Sequence, residues 1–272
     1  MTATTESAAV ANDESVGSGK IKKRRSVYPW VSVISLLAMI GLWQLLVSAG
    51  AVSTQVMSSP SQVWHTAGQV ISNGTLGSAF GDSAKLYLTG LGISIVVGVP
   101  AGIIFGYWRF IGAIFDPLIA ILYATPLIAL LPLVLVWFGI SFKAQVVMVL
   151  LVAIFPIIIT TMNGVRELDP DLLRVAKSFR ASQWSIIRTL LFPSLLPYIV
   201  TGLRLSMGLG LIGVVVSEYY LGESGLGGFI MQAGSINDTS QVMVGILVLA
   251  LSSVLLTALI KWVERRVTPW RP

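Results

Sequence analysis

Residues 86–107 read LYLTGLGISIVVGVPAGIIFGY and hold no Asp, Glu, Lys, Arg or His. A helix of about 20 residues is about 30 Å long, which matches the hydrocarbon core of a bilayer. The stretch therefore reads as a transmembrane helix. It also carries a small residue at every fourth position: Gly90, Ser94, Gly98, Gly102 and Gly106. At 3.6 residues per turn these share one stripe, where small side chains let a second backbone come close. Packing inside one bundle is the plainer use of such a stripe; pairing between subunits is the other.

Working outward, comparable apolar runs predict spans at Val27–Val47, Leu118–Phe138, Val146–Met162, Leu196–Tyr220 and Val242–Trp262. With Leu86–Tyr107 they make an all-α, polytopic membrane protein of about six transmembrane helices. Composition agrees. Of 272 residues 55% are hydrophobic and 11% charged, against about 25% charged in a soluble domain. Cysteine is absent, which excludes a disulfide framework and thiolate chemistry.

Between the spans, residues 48–82 read as an extramembrane segment with a short helix at Pro60–Val70. Ser141–Gln145 reads as a tight polar turn, 164–195 as the longest polar segment, and Gly222–Ser240 as a glycine-rich loop. Pro126, Pro132 and Pro156 predict breaks in helical hydrogen bonding, tolerated where neighbours satisfy the freed carbonyls. Residues 1–25 are polar, then basic, and are expected to be a disordered cytosolic tail. Residues 26–263 form one membrane domain, and the basic stretch 264–272 a second cytosolic tail.

The charge of +6 is explained by where the cations stand, so nucleic acid is not implied. With the N-terminus inside, 15 of the 18 Lys and Arg fall on the inner side: Lys20, Lys22, Lys23, Arg24, Arg25, Arg109, Arg166, Arg174, Lys177, Arg180, Arg188, Lys261, Arg265, Arg266 and Arg271. Lys85 and Lys143 fall outside, and Arg204 lies near the inner end of its span. The positive-inside rule then puts both termini in the cytosol.

Catalytic chemistry finds little footing. The single histidine, His65, supplies neither a metal site nor a nucleophile–base pair; it reads as a membrane-interface side chain. Gly17–Lys20 resembles the end of a phosphate loop, yet Glu14 stands where that pattern needs Gly and Ile21 where it needs Ser or Thr. The chain is expected to bind no ATP. Arg204 and Glu218 are ionisable residues within or beside one span, which makes them translocation-pathway candidates. Fourteen residues separate them, about four turns, so they share a face without touching.

The polar segment 164–195 is the most informative. Asp169-Pro170 is a good helix start, with Asp as cap and Pro at the first helical position. Leu172, Leu173, Ala176 and Phe179 then fall on one side, Ala181-Ser182 ends the helix, and Ser182 caps a second one through Trp184, Ile187 and Leu191. Pro193 and Pro197 mark the entry to the next span. A helix–turn–helix lying along the membrane is predicted.

The stretch Arg174-Val175-Ala176-Lys177-Ser178-Phe179-Arg180-Ala181-Ser182, followed by Leu190-Leu-Phe-Pro193, resembles the cytosolic signature of ABC importer permeases, with its Glu-Ala-Ala start, central Gly and Ile-x-Leu-Pro end. Pro60-Ser-Gln-Val-Trp64, Thr125-Pro-Leu-Ile-Ala-Leu-Leu-Pro132, Trp137-Phe-Gly139, Gly202-Leu-Arg204, Glu218 and Ser224-Gly-Leu-Gly227 are similar to the nitrate/sulfonate/taurine branch. Arg174 departs from the signature's Glu, and Arg180 from its Gly. If that turn needs a positive φ, a non-glycine residue there costs about 1–2 kcal/mol.

The resemblance implies an ABC type I importer permease bundle in a bacterial plasma membrane, contacting lipid. It implies a second, identical permease subunit, two cytosolic ATPase subunits and an extracytoplasmic solute-binding protein. ATP and Mg would sit on the ATPase, and no cofactor on this chain. Residues 174–182 would be the ATPase-coupling element. The solute would be small: nitrate, a sulfonate, taurine, a pyrimidine vitamin precursor or a related molecule. The rival readings are an ion-coupled secondary transporter, which needs mid-membrane coupling groups, and a non-transporting membrane scaffold.

Overall fold

The small-residue stripe settles which helix lies against which. The computed structural model describes residues 28–169, 171, 174, 176, 178–222 and 224–267, and every regular element among them is helical. In chain order they are α1 (Tyr28–Ser48), α2 (Pro60–Ser72), α3 (Thr75–Tyr107), α4 (Arg109–Ala124), a 3-10 turn (Leu127–Leu130), α5 (Leu131–Phe138), α6 (Phe142–Arg166), α7 (Gln183–Ile186), a π turn (Ile187–Leu191), α8 (Phe192–Leu221), α9 (Gly225–Ser235) and α10 (Thr239–Val267).

The bundle from residue 44 onward is organised on α6, which packs most extensively against α3 and α8. A methyl group added to Gly90 would strike Val149; at Gly98 it would press on Ile157, at Gly102 on Thr161 and at Gly106 on Val165. Each partner lies 59 residues further along the chain, so α3 and α6 run parallel in fixed register. The stripe is therefore used inside the chain. On the other side of α6, Gly202 sits over Pro156, Ile157 and Thr160, and Gly213 over Val149 and Val152. The buried Ser206 hydroxyl donates to the Ala153 carbonyl at 2.5 Å. Numbers rise on one helix as they fall on the other, so α8 is antiparallel to α6. Lipid is as apolar as leucine, so close backbone packing and such hydrogen bonds hold helices together where the hydrophobic effect does not. Leu86, Tyr87, Leu91, Val146, Val149, Ala153 and Val214 fill the resulting three-helix core.

Among the described residues four helical stretches are long and apolar enough to cross a membrane: Thr75–Tyr107, Phe142–Arg166, Trp184–Leu221 and Thr239–Arg266. The bent pair made by α4 with Ile128–Phe138 makes a fifth if it is one span, and α1 adds a shorter apolar stretch, Val33–Ser48, in keeping with the expected number of about six.

Several boundaries differ from the sequence reading. The third predicted span, Leu118–Phe138, is not one rod: α4 and the following helix meet at 88°. Prolines cause the break. Thr125, which precedes Pro126, is extended at φ −72 and ψ 132, as a residue before proline prefers. Pro132 then starts α5 in the first turn, where its missing N–H costs nothing. Pro193 and Pro197, expected to mark the entry to the fifth span, fare differently: Pro197 lies inside α8 rather than at its start, and α7, the π turn and α8 are continuous. Pro193 occupies the first turn of α8 directly after the π turn, a local widening that tolerates an irregular hydrogen-bond ladder. The glycine-rich loop 222–240 contains a helix, α9. The last helix runs to Val267, taking the first residues of the expected C-terminal tail. Residues 1–25 and 268–272 of the expected tails lie outside the described residues.

Candidate functional site

The expected coupling element sits between α6 and α7. Of its nine residues, Val175 and Lys177 lie outside the described residues. Asp169 accepts from the Asp171 amide at 2.8 Å, the N-terminal cap that its type allows. At the other end the Ala181 amide donates to the Ala176 carbonyl at 3.1 Å, and Arg180 has φ +54. A bond closing six residues over a left-handed residue is a Schellman helix end, a position glycine usually fills. The turn does need a positive φ, and Arg180 meets it without being glycine. Ser182 then caps α7 by accepting from the Ser185 amide at 3.1 Å. The turn displays Phe179 at 83% exposure and Trp184 at 69%. Arg174, Ser178, Arg180 and Ser182 are exposed and Ala176 and Ala181 half-buried. Arg174 pairs with Asp171 at 2.7 Å on the open surface.

The rest of this end of the bundle is rich in paired charge. Arg166 meets Asp116 at 2.9 Å, and the Tyr198 hydroxyl donates to Glu167 at 2.5 Å. Arg204 reaches Glu264 at 3.4 Å, both half-exposed. Lys85 and Phe142, by contrast, stack at the opposite end, 5.3 Å from charge to ring centre.

Glu218 belongs to that opposite end and is almost completely buried, at 2% exposure. Two other elements converge on its carboxylate. The Ser83 hydroxyl of α3 donates to it at 2.7 and 2.8 Å, and the Gly227 amide of α9 donates at 2.8 Å. Ser83 Oγ in turn accepts from the Leu226 amide at 2.8 Å. The first amides of a helix lack intrahelical partners and attract negative charge; α9 has no cap from its own Ser224, so Glu218 and Ser83 cap it from other helices. The glycines make room: a methyl on Gly225, which has φ +85, or on Gly227 would collide with the Glu218 side chain.

Arg204 and Glu218 thus share α8 but belong to separate groups at opposite ends. Ser83 escaped the sequence reading, and Gly227 entered it only as part of a resemblance. Ser83 lies three residues before the predicted span, and only its position beside Leu86 on a longer helix hints at burial. The Ser224–Gly227 glycines read as part of a loop and did not reveal what they surround. Among the described residues no group of His, Cys, Asp and Glu could hold a metal ion.

With this geometry in view, the relatives are informative. The chain belongs to the family of binding-protein-dependent transport system inner membrane components, whose model matches residues 98–269. It is 32% identical to SsuC of Bacillus subtilis (strain 168), a permease named for aliphatic sulfonates transport, over 92% of this chain and 91% of that one. It is 28% identical to the taurine transport system permease protein TauC of Escherichia coli (strain K12), over 92% and 96%. With the nitrate import permease protein NrtB of Leptolyngbya laminosa the identity is 29%, over 90% and 89%. The fold is shared with the inward-facing MetNI methionine ABC transporter, at a TM-score of 0.58 and 22% identity, covering 71% of this chain and 96% of that one. The protein is accordingly a multi-pass membrane permease subunit of a binding-protein-dependent ABC importer, working with an ATPase and a binding protein. The secondary-transporter and scaffold readings fall away.

Proposed function

We propose that the permease pairs with a second copy of itself, docks two cytosolic ATPase subunits through residues 174–182, and receives a small polar solute from an external binding protein. Both termini are cytosolic, in a bacterial plasma membrane, and the Glu218 end faces outside. ATP and Mg sit on the ATPase; this chain binds no nucleotide and carries out no chemistry on the solute. The names of the relatives suggest an oxyanion-bearing solute such as an alkylsulfonate, taurine or nitrate. Arg204, half-exposed, borders the pathway, whereas Glu218 serves it by positioning α9.

The observation that carries this reading is the α6–α7 turn. It is held by caps at both ends, yet it presents Phe179 and Trp184 to solvent at the cation-rich end. A rigid turn with unpaired apolar side chains suits a docking element that reports the partner's state. The test is ATP hydrolysis in proteoliposomes. The purified chain alone should have none, and activity should appear with the ATPase and rise with loaded binding protein. Ala176→Asp places an unpaired charge at the contact, at a cost of about 3 kcal/mol or more. It should reach the membrane yet lose ATPase association. Normal complex yield from Ala176→Asp would refute the docking assignment.

A further inference from the structure

A cavity of about 220 Å³ lies between α3, α8 and α10, away from the α6–α7 turn and from Arg204. Its walls are Phe80, Tyr87, Leu211, Leu249, Leu255 and Leu256, with Ser83 and Ser252 among them. All three hydroxyls in this lining are committed elsewhere. Ser83 donates to Glu218, Tyr87 donates to the Met207 carbonyl at 3.1 Å, and Ser252 donates to the Val248 carbonyl at 2.7 Å. Glu218 itself is not a lining residue. The space therefore offers hydrocarbon walls and no free hydrogen-bond donor. A polar solute entering it would lose its hydration without replacement, so it does not suit a sulfonate or nitrate. Apolar cavities of about 150 Å³ stay dry and take up hydrocarbon. The rim at Leu88 and Leu255 is strongly exposed, and the walls belong to membrane-crossing stretches of α3, α8 and α10, where the surrounding medium is itself acyl chain.

We propose that this slot is a lipid site, holding part of one acyl chain of a membrane phospholipid between α3 and α10. Three features together favour lipid: a lining with every hydroxyl spent, a volume above that needed for a small hydrocarbon guest, and a rim on bilayer-crossing helices. The polar solute pathway lies elsewhere in the assembly.

The complete transporter, extracted in mild detergent, is examined by native mass spectrometry. It is also photolysed in liposomes containing phosphatidylethanolamine with a diazirine in the acyl chain. Expected are one retained phospholipid per permease chain and label on Tyr87 and Leu256. Ala84→Phe, which fills the slot from α3, should reduce retention several-fold, as should the milder Ser252→Leu. Label confined to the rim, or no retained phospholipid in the wild-type transporter, overturns the proposal whatever the variants do. The chain has no cysteine of its own, so an introduced pair is unambiguous. An efficient disulfide between Leu256→Cys and Leu37→Cys on α1, of the same or a second copy, would mean that protein fills the slot, and also overturns it.

Discussion

At one end of the helical stretch Trp184–Leu221 a carboxylate is buried among groups that satisfy it; at the other, a turn stands in solvent with aromatic side chains uncovered. Glu218 meets Ser83 and Gly227, each from a different helix, and the adjoining glycines leave no slack around it. The α6–α7 turn makes its hydrogen bonds within the loop, holds Arg180 in a left-handed conformation, and leaves Phe179 largely exposed. The two ends separate two demands. The first is complete in the isolated subunit and fixes helix arrangement. The second is left incomplete, as expected of a surface that meets a partner.

Four measurements can break or sharpen that contrast. The largest effect concerns which end is which. Cysteines introduced at Ser53 and Ser240 should react with an impermeant thiol reagent applied to intact cells, and one at Ser178 should not; labelling of Ser178 would invert the assignment. Next is Glu218→Leu, which strands the Ser83 hydroxyl and the Gly227 amide, each costing about 1–3 kcal/mol when buried without a partner. A loss of about 3 kcal/mol should appear as a marked fall in the unfolding midpoint in detergent. Ser83→Ala removes one donor to the carboxylate and the acceptor of the Leu226 amide, so a loss of about 2 kcal/mol is expected in the same assay. The smallest effect has the opposite sign. Arg180→Gly relieves a left-handed backbone and should stabilise the turn by about 1 kcal/mol, with transport intact or improved. If Arg180→Gly abolishes transport, the arginine makes a specific contact with the partner.

Much of this contrast can be read in the residues, and the missed parts share a cause. The spacing of Gly90 to Gly106 announces a close helix contact, and Asp169 and Ser182 announce a capped turn, because each effect is local to a few neighbouring residues. The 88° break was signalled by Pro126 and Pro132, although hydrophobicity alone runs straight through them. The Glu218 junction could not be read in the same way. Ser83 and Glu218 are 135 residues apart in sequence, and no periodicity links a serine before one span to a carboxylate near the end of another. Pro197 differs for a related reason: read as the entry to a span it lies inside α8, and a proline in the first helical turn and one further in look alike until the ladder around them is known.

The constant 59-residue register between α3 and α6 has a mechanical meaning. Glycine and bulky side chain alternate along that seam like the teeth of a rack, with a pitch of four residues, about 6 Å of helix rise. Sliding by a fraction of a tooth would drive Val149, Ile157, Thr161 and Val165 into the backbone of α3, so the pair travels as one beam. Any stroke the importer makes is then expected to carry this seam unchanged, which leaves the 88° elbow after Ala124 and the π turn at Ile187–Leu191 as the irregular points beside it.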